Sequence, residues 1–326
     1  EIGGARMSET WLDDIVMWSA PRPNDEGITE LTATIKRLKK ISGVIGVPMG
    51  TETHIRMPFS DFKKLQENIR GIQLVDASPL IQELRKIKSE AEISKIRYIC
   101  QRVSEGFLEL PKIANLGDEE KEIFRKFRID LLARGADEVP YLVGGSGPNG
   151  PTEVIGMPSK RILTKGDMLM MDTGAVFDGY FSDFDRNFCF GSVDETVAAA
   201  YDVVYRATDA GLEAARPGIT AEGLWRVMAD VLSESTTSKN AVGRLGHGLG
   251  MQLTEWPSNM KGDKTVMQPG MVMTLEPCIE FADGRIMVHE ENIVIRDGEP
   301  ESVSYTHLRA HETRGNLVCR RLLEKK

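Results

Sequence analysis

The chain has 326 residues, a formal charge of −8 and 41% hydrophobic content, enough for one large domain and a smaller one in an ordinary globular protein. An acidic chain argues against nucleic acid or an anionic membrane as the main partner, and no apolar run reaches membrane-spanning length. With no signal-peptide pattern at the start, the expected setting is the cytoplasm. The four cysteines, Cys100, Cys189, Cys278 and Cys319, are widely separated and lack a C-x-x-C spacing, so they suggest neither a disulfide framework nor a zinc knuckle.

In chain order, residues 1 to 86 alternate two helical stretches, "TELTATIKRLKKI" and "SDFKKLQENI" with Ser60 as expected cap, with the strand-like "GVIGVP" and "IQLVDA". This is an α/β pattern. The segment is short for a domain and opens on Glu1 instead of Met, so it is expected to be the later part of an N-terminal domain. From residue 88 the helical periodicity is stronger. Ser89 and Glu92 form a capping box, "DEEKEIFRKFRIDLLARG" runs from acidic to basic and stops at Gly135, and "DETVAAAYDVVYRATDAGLEAA" precedes "AEGLWRVMADVLSES", which Thr220 caps. The β-rich stretches fall at about 141–191 and 242–297. Helices and strands in blocks point to an α+β domain, an antiparallel sheet covered by helices.

Beyond residue 301, "VSYTHLRAHET" and "LVCRRLLEKK" resemble the conceptual translation of a sequencing-library adapter. Residues 302–326 are therefore expected to be a non-native tail. That tail holds six Lys or Arg against two acids, so the remaining body is more acidic than the whole, with His54, His247 and His289 as its histidines.

Two hairpins carry the chemistry. In "GDMLMMDTGAVFDGYFSDFDRNFCFG", residues 166–191, Asp178-Gly179 is a two-residue turn signal. With that loop Asp172 lies opposite Asp185, and Asp172, Asp183 and Asp185 share one face. In "GMVMTLEPCIEF" and "RIMVHEENIVI", around Asp283-Gly284, the same reasoning sets Glu276 opposite Glu291. Facing carboxylates that lose hydration need raised pKa values or a cation between them. Two such hairpins favour the cation. His247 in "GRLGHGLGMQ" is the best nitrogen ligand, and oxygen ligands with one imidazole suit Mn²⁺, Fe²⁺, Co²⁺ or Zn²⁺. Asp172, Asp183, Glu276 and Glu291 carry four charges, which two divalent ions balance.

With "MDTGAVFDGYFSDFDR", "GHGLG", "TLEP" and "HEENIVI" in this order, the sequence resembles the creatinase/aminopeptidase P/methionine aminopeptidase (M24) family, nearest to its Xaa-Pro peptidase and creatinase-like branch. The resemblance implies a pita-bread catalytic domain over 88–301, preceded at 1–86 by a partial creatinase-type N-terminal domain. It implies Asp172, Asp183, His247, Glu276 and Glu291 as ligands of two divalent ions with Mn²⁺ favoured, Glu276 as general acid/base, and a homodimer. Two histidines usual in the peptidases are replaced, one at Val154 or Ile155 and the other at Thr254. Asp185 stands where the pattern has threonine, and His289 where an arginine precedes the last ligand.

Asp185 and His289 are expected to orient ligands, and Thr254, Glu255, Trp256 and Tyr141 to line the substrate cleft. The expected activity is dinuclear metal-dependent hydrolysis of an amide or peptide-like C–N bond in a small peptide or amino-acid-derived substrate. The alternatives are a non-peptidase hydrolase or lyase of the same fold, and a catalytically silent binding protein. A metal-free creatinase-type reaction is disfavoured by the complete ligand set.

Overall fold

The computed structural model describes residues 11–38, 43–192, 194–234, 239–240, 243–304 and 318–319. The first residues of the N-terminal segment and most of the tail lie outside them. The chain divides into two compact units, Glu1–Ile81 and Gln82–Lys326.

In the first unit α1 (Ile28–Leu38), β1 (Val44–Val47), α2 (Phe59–Asn68) and β2 (Gln73–Asp76) alternate. The two strands pair in parallel, Val44 against Gln73. Ile28, Leu65 and Ile69 form a small core between helices and strands. The expected Ser60 cap is not used: α2 begins at Phe59, two residues before a Ser60 cap would start it, with Pro58 at the cap position and no side-chain cap bond. The fixed φ of proline sets the entry without a side-chain acceptor. α3 (Ser78–Lys86) crosses into the second unit.

The second unit begins with α4 (Glu90–Ile113) and α5 (Glu120–Ala133). Glu92 N donates to Ser89 Oγ at 3.4 Å and Ser89 N to Glu92 Oε2 at 2.8 Å, the reciprocal capping box legible in the sequence. The chain continues through β3 (Glu138–Pro148), β4 (Asp167–Phe177), β5 (Tyr180–Phe181) and β6 (Phe184–Cys189). Next come α6 (Glu195–Ala214) and α7 (Ala221–Ser233), the latter capped by Thr220 Oγ1, which accepts from Gly223 N at 3.0 Å. The remaining strands are β7 (Lys239–Asn240), β8 (Arg244–Gly248), β9 (Glu255–Met260), β10 (Val272–Leu275), β11 (Cys278–Phe281), β12 (Arg285–Val288), β13 (Glu291–Val294), β14 (Glu301–Ser302) and β15 (Val318–Cys319).

Among the described residues, β6, β4 and β3 are consecutive antiparallel neighbours with β15 parallel to β6; β14, β13, β10, β8 and β9 form a second sheet, and β12, β11 and β7 a third. Each half has its own core. Ile93, Ile96 and Ile99 of α4 with Phe124 and Phe127 of α5 pack on Leu169, Met171 and Phe184 of β4 and β6. Val204 of α6 with Leu224 and Met228 of α7 pack on Leu245, Met273, Leu275 and Ile293 of β8, β10 and β13. Full burial of each such side chain contributes about 1.5–3 kcal/mol relative to exposure. Helices against antiparallel strands are the α+β layout expected.

Turn chemistry then sets the two carboxylate hairpins apart. Asp178 and Gly179 have φ 47° and 79°, which closes β4–β5 as a two-residue loop with both φ positive. Asp172 pairs with Asp185, as read. The second hairpin closes differently: Ala282–Gly284 is a single 3₁₀ turn, so the loop has three residues and Phe281 pairs with Arg285. The register moves by one. Cys278 pairs with Val288 and Leu275 with Glu291, and continuing either ladder sets Glu276 opposite Glu290, correcting the expected pairing with Glu291. A one-residue shift exchanges faces along a strand.

Val303 and Ser304, on the tail side of the boundary drawn from the sequence, are buried. Ser104 Oγ donates to Ser304 O at 3.0 Å, and Asn292 N to Ser304 Oγ at 2.7 Å.

Candidate metal centre

β4, β6, β8 and the β10–β13 hairpin bring their acidic and imidazole groups to one place. Asp183, His247 and Glu290, all buried, offer ligand atoms that lie within 4.8 Å of one another. His247 Nε2 is 3.4 Å from Asp183 Oδ2 and 3.9 Å from Glu276 Oε2. Burial and the repulsion of Asp183, Asp185 and Glu276 push the Asp172 carboxyl well above the usual carboxylate range. Tyr141 Oη donates to Asp172 Oδ2 at 3.1 Å, while Asp172 Oδ1 is buried without a partner among the described residues.

Glu290, absent from the expected ligand set, is pushed up most by burial and then by Asp183, Glu276 and Asp172, and its Oε1 is likewise buried without a partner among the described residues. Glu291, the expected ligand, is engaged elsewhere. Its Oε1 accepts from Arg186 Nη2 at 2.8 Å and its Oε2 from Ser304 Oγ. His247 is thus flanked by Asp183, Glu276 and Glu290, with Asp172 in the electrostatic field of the same carboxylates, and Glu290 stands opposite Glu276 where Glu291 was expected.

The histidine tautomer says what the cluster lacks. His247 Nδ1 is 2.9 Å from Gly248 O, and a carbonyl only accepts, so Nδ1 carries the hydrogen. In neutral imidazole Nε2 then presents a lone pair to two carboxylates. That arrangement is repulsive unless a proton or a cation lies between them. Accordingly the structure raises the His247 pKa through Asp183 and Glu276 despite opposing burial. The donor set, carboxylate oxygens with one imidazole nitrogen and two unpartnered buried oxygens, fits a hard to borderline divalent cation.

Supporting contacts hold these side chains in place. Asp183 N donates to Asn292 Oδ1 at 2.9 Å and Asn292 Nδ2 returns a bond to Asp183 O, tying β6 to β13. Arg186 Nη1 donates to Asp185 O at 2.6 Å and Glu290 O at 2.9 Å, so the group that satisfies Glu291 also anchors the backbone of Glu290. Thr274 Oγ1 accepts from His247 N at 3.1 Å. Thr274, Glu290 and Asn292 lie inside the motifs "TLEP" and "HEENIVI" but were assigned no role from the sequence.

The other expected residues separate by role. Asp185 is buried, accepts from Asn187 Nδ2 at 3.0 Å and has its pKa raised to about 7 by burial. His289 lies 3.8 Å from Glu291 Oε1. Its Nδ1 meets Thr208 Oγ1 at 3.0 Å, its ring packs against Tyr201 and Tyr205, and burial lowers its pKa to about 3. Glu255 does not line a cleft: it is buried in an ion pair with Lys88 at 2.8 Å, and its other oxygen accepts from Gln252 N. Thr254 receives Arg244 Nη2 at 3.4 Å. Val154 packs with Cys278, Ile286 and Val288 in an apolar cluster, and Trp256 is half-buried.

A model of metallopeptidase family M24 matches residues 94–297, and one of the creatinase/prolidase N-terminal domain matches residues 1–87. The chain belongs to metallopeptidase family M24. This M24 chain is 34% identical over 257 residues to a probable dipeptidase PepE of Mycobacterium bovis, covering 78% of itself and 68% of the relative. It is 29% identical to a Xaa-Pro dipeptidase of Pyrococcus horikoshii, covering 77% and 71% of the two. Among solved structures, prolidase from Pyrococcus furiosus superposes with a TM-score of 0.74 at 26% identity over 81% of this chain and 76% of that one. Recombinant prolidase from Thermococcus sibiricus reaches 0.82 at 25% identity, over 94% and 82%. The fold of the M24 chain is the pita-bread fold with its N-terminal domain, and the chain is a metal-dependent hydrolase by family. No helix among its described residues is long and apolar enough to cross a membrane.

Proposed function

We propose that this protein is a dinuclear metal-dependent dipeptidase, Xaa-Pro dipeptidase-like, that hydrolyses the amide bond of a small peptide. The observation that carries the reading is the buried group of Asp183, His247 and Glu290, with Asp172 and Glu276 beside it in the Coulomb field of the same residues. In this reading Asp172, Asp183, His247, Glu276 and Glu290 hold two divalent ions, Mn²⁺ before Co²⁺, Fe²⁺ or Zn²⁺. The four negative charges balance two such ions. The names of the relatives support the substrate class, and the family resemblance supports a homodimer.

The ions would supply polarisation of the scissile carbonyl and a water of lowered pKa. What the chain contributes is position and proton transfer. Glu276, the most exposed of the set at 22% of its side chain, is the group able to meet substrate, to take a proton from water and to return it to the leaving nitrogen. Tyr141 fixes Asp172 through its hydroxyl, and Gly248 O fixes the His247 tautomer. Val154 or Ile155, and Thr254, where the peptidase pattern has histidines, offer no imidazole for the developing oxyanion. Turnover on Xaa-Pro dipeptides is therefore expected to be slower than in relatives that keep both.

The test is hydrolysis of a panel of Xaa-Pro dipeptides by protein stripped with chelator and reloaded with Mn²⁺. Activity that disappears on stripping, returns on reloading and is lost in Glu276→Gln supports the reading. Undiminished activity after complete stripping, or no hydrolysis by protein carrying its metal, overturns it.

A further inference from the structure

Two arginines stand near the carboxylate cluster, and their surroundings differ. Arg186 is buried and spends its hydrogens on Asp185 O, Glu290 O, Glu291 Oε1 and Ser304 O at 2.6 to 3.1 Å. Arg244, three residues before His247 on β8, makes no contact that short. Its Nε is 3.6 Å from Glu276 Oε1 and its Nη2 is 3.4 Å from Thr254 Oγ1. Charge-assisted N–H···O⁻ bonds close to about 2.7–2.9 Å when the pair is the working partner. Nη1 has no hydrogen bond among the described residues, and the side chain is 34% exposed.

We infer that Arg244 anchors a carboxylate of the substrate beside Glu276, so that the preferred substrates of this site are anionic small peptides. The inference rests on the reading of the site as a small-amide hydrolase. A guanidinium presents a planar fork of donors that matches a carboxylate through two parallel bonds. With the charges of Asp172, Asp183, Glu276 and Glu290 balanced by the two ions of that reading, and Arg186 spent on its own partners, Arg244 is the cationic side chain left beside Glu276 to receive a substrate carboxylate. Thr254 at the neighbouring position has a shorter side chain than the histidine of the peptidase pattern and is neutral. The guanidinium therefore has no competing cation at that contact. Glu276 at 3.6 Å steers Arg244 without saturating it.

One chemistry has two sources, the free C-terminal carboxylate of a dipeptide or an acidic side chain on the residue before the scissile bond. Metal-loaded full-length protein is assayed on Ala-Pro against Ala-Pro-amide, and on Asp-Pro against Asn-Pro. The charged member of one pair is expected to be favoured roughly ten- to hundredfold in kcat/KM, mainly through KM, the size of one charge-assisted contact. The responding pair identifies the source. In Arg244→Met that ratio falls toward one and in Arg244→Lys it recovers in part, with metal content and unfolding midpoint measured alongside to separate misfolding.

Calorimetric binding of proline against prolinamide, and of aspartate against asparagine, to wild type and Arg244→Met gives the same comparison without turnover. A failure of hydrolysis alone therefore counts against the dipeptidase reading, not against the anchor. Equal handling of both members of each pair by the wild type in kinetics and in binding, or a preference that Arg244→Met leaves intact, overturns the proposal.

Discussion

Arg186 and Glu291 form a buried ion pair at 2.8 Å, and Ser304 donates to the second carboxylate oxygen. The pair ties β6 to the start of β13 while Arg186 also holds the carbonyl of Glu290. Removing one member leaves the other charge buried and uncompensated. Arg186→Met is expected to lower stability by about 3–5 kcal/mol, read from urea unfolding of the metal-free protein. A loss below about 1 kcal/mol would show that the pair contributes little beyond its own desolvation.

The two adjacent glutamates are expected to behave differently. Glu290→Ala removes a group with an unpartnered oxygen facing Asp183 and His247, so bound metal should fall by at least about tenfold in affinity while the metal-free fold is kept or stabilised by relief of repulsion. Glu291→Ala strands Arg186 and should reduce unfolding free energy first. Metal titration and chemical unfolding of both variants separate these effects. Loss of metal confined to Glu291→Ala would restore the ligand set expected from the sequence.

The same carboxylates make the metal-free protein sensitive to pH. Burial raises Asp185 to about 7, and burial with mutual repulsion raises Asp172 and Glu290, from reference values of 3.8 and 4.5. Between those reference values and the folded ones, the native state keeps protons that the unfolded chain has released. Its stability therefore falls as pH rises through the window. His247, raised by its carboxylate neighbours, contributes in the same direction, while His289, lowered to about 3, opposes them below its ordinary value of 6.5 and is outweighed by the three raised carboxyls. From pH 5 to 8 the metal-free protein should lose more than about 1 kcal/mol, and the gain on adding Mn²⁺ should grow over the same range because metal displaces those protons. Thermal melts in chelator and in Mn²⁺ check both slopes. A metal-free protein more stable at pH 8 than at pH 5 would contradict the assignment.

Gly246 positions the imidazole. Its φ is +132°, and a Cβ there would lie 2.1 Å from Thr274 O on β10. Gly246→Ala must push β8 away from β10, at a cost of about 2 kcal/mol or more from strain and overlap. His247, the next residue, moves with the strand. The expected result is a lower melting temperature together with weaker metal binding, measured by calorimetry. Unchanged metal affinity would mean that the strand absorbs the methyl without moving the ligand.

How far the site was legible depends on turn length. Asp178-Gly179 and Asp283-Gly284 are the same dipeptide. In the first, both residues are the loop and Asp172 faces Asp185 as read; in the second, Ala282 joins the turn as a 3₁₀ element. Nothing local to the dipeptide distinguishes the two closures, since Asp-Gly serves loops of either length. Because side chains alternate along a strand, the single added residue exchanges Glu291 for Glu290.

Local sequence was enough for the helices that follow the Ser89 and Thr220 caps, the two acidic hairpins, His247 between its glycines and the ordered motifs of the M24 family, but not for α3 (Ser78–Lys86) or the Pro58 start of α2. Each of these depends on residues within a few positions of one another. Which glutamate faces His247, that Arg186 takes Glu291, that Lys88 buries Glu255, and that Arg244 stands beside Glu276 are settled by how the strands come together. Those pairings join segments from 32 to 167 positions apart, Arg244 to Glu276 the nearest and Lys88 to Glu255 the farthest. Strand register and desolvation in the packed sheets select such partners, and neither is written in local propensity.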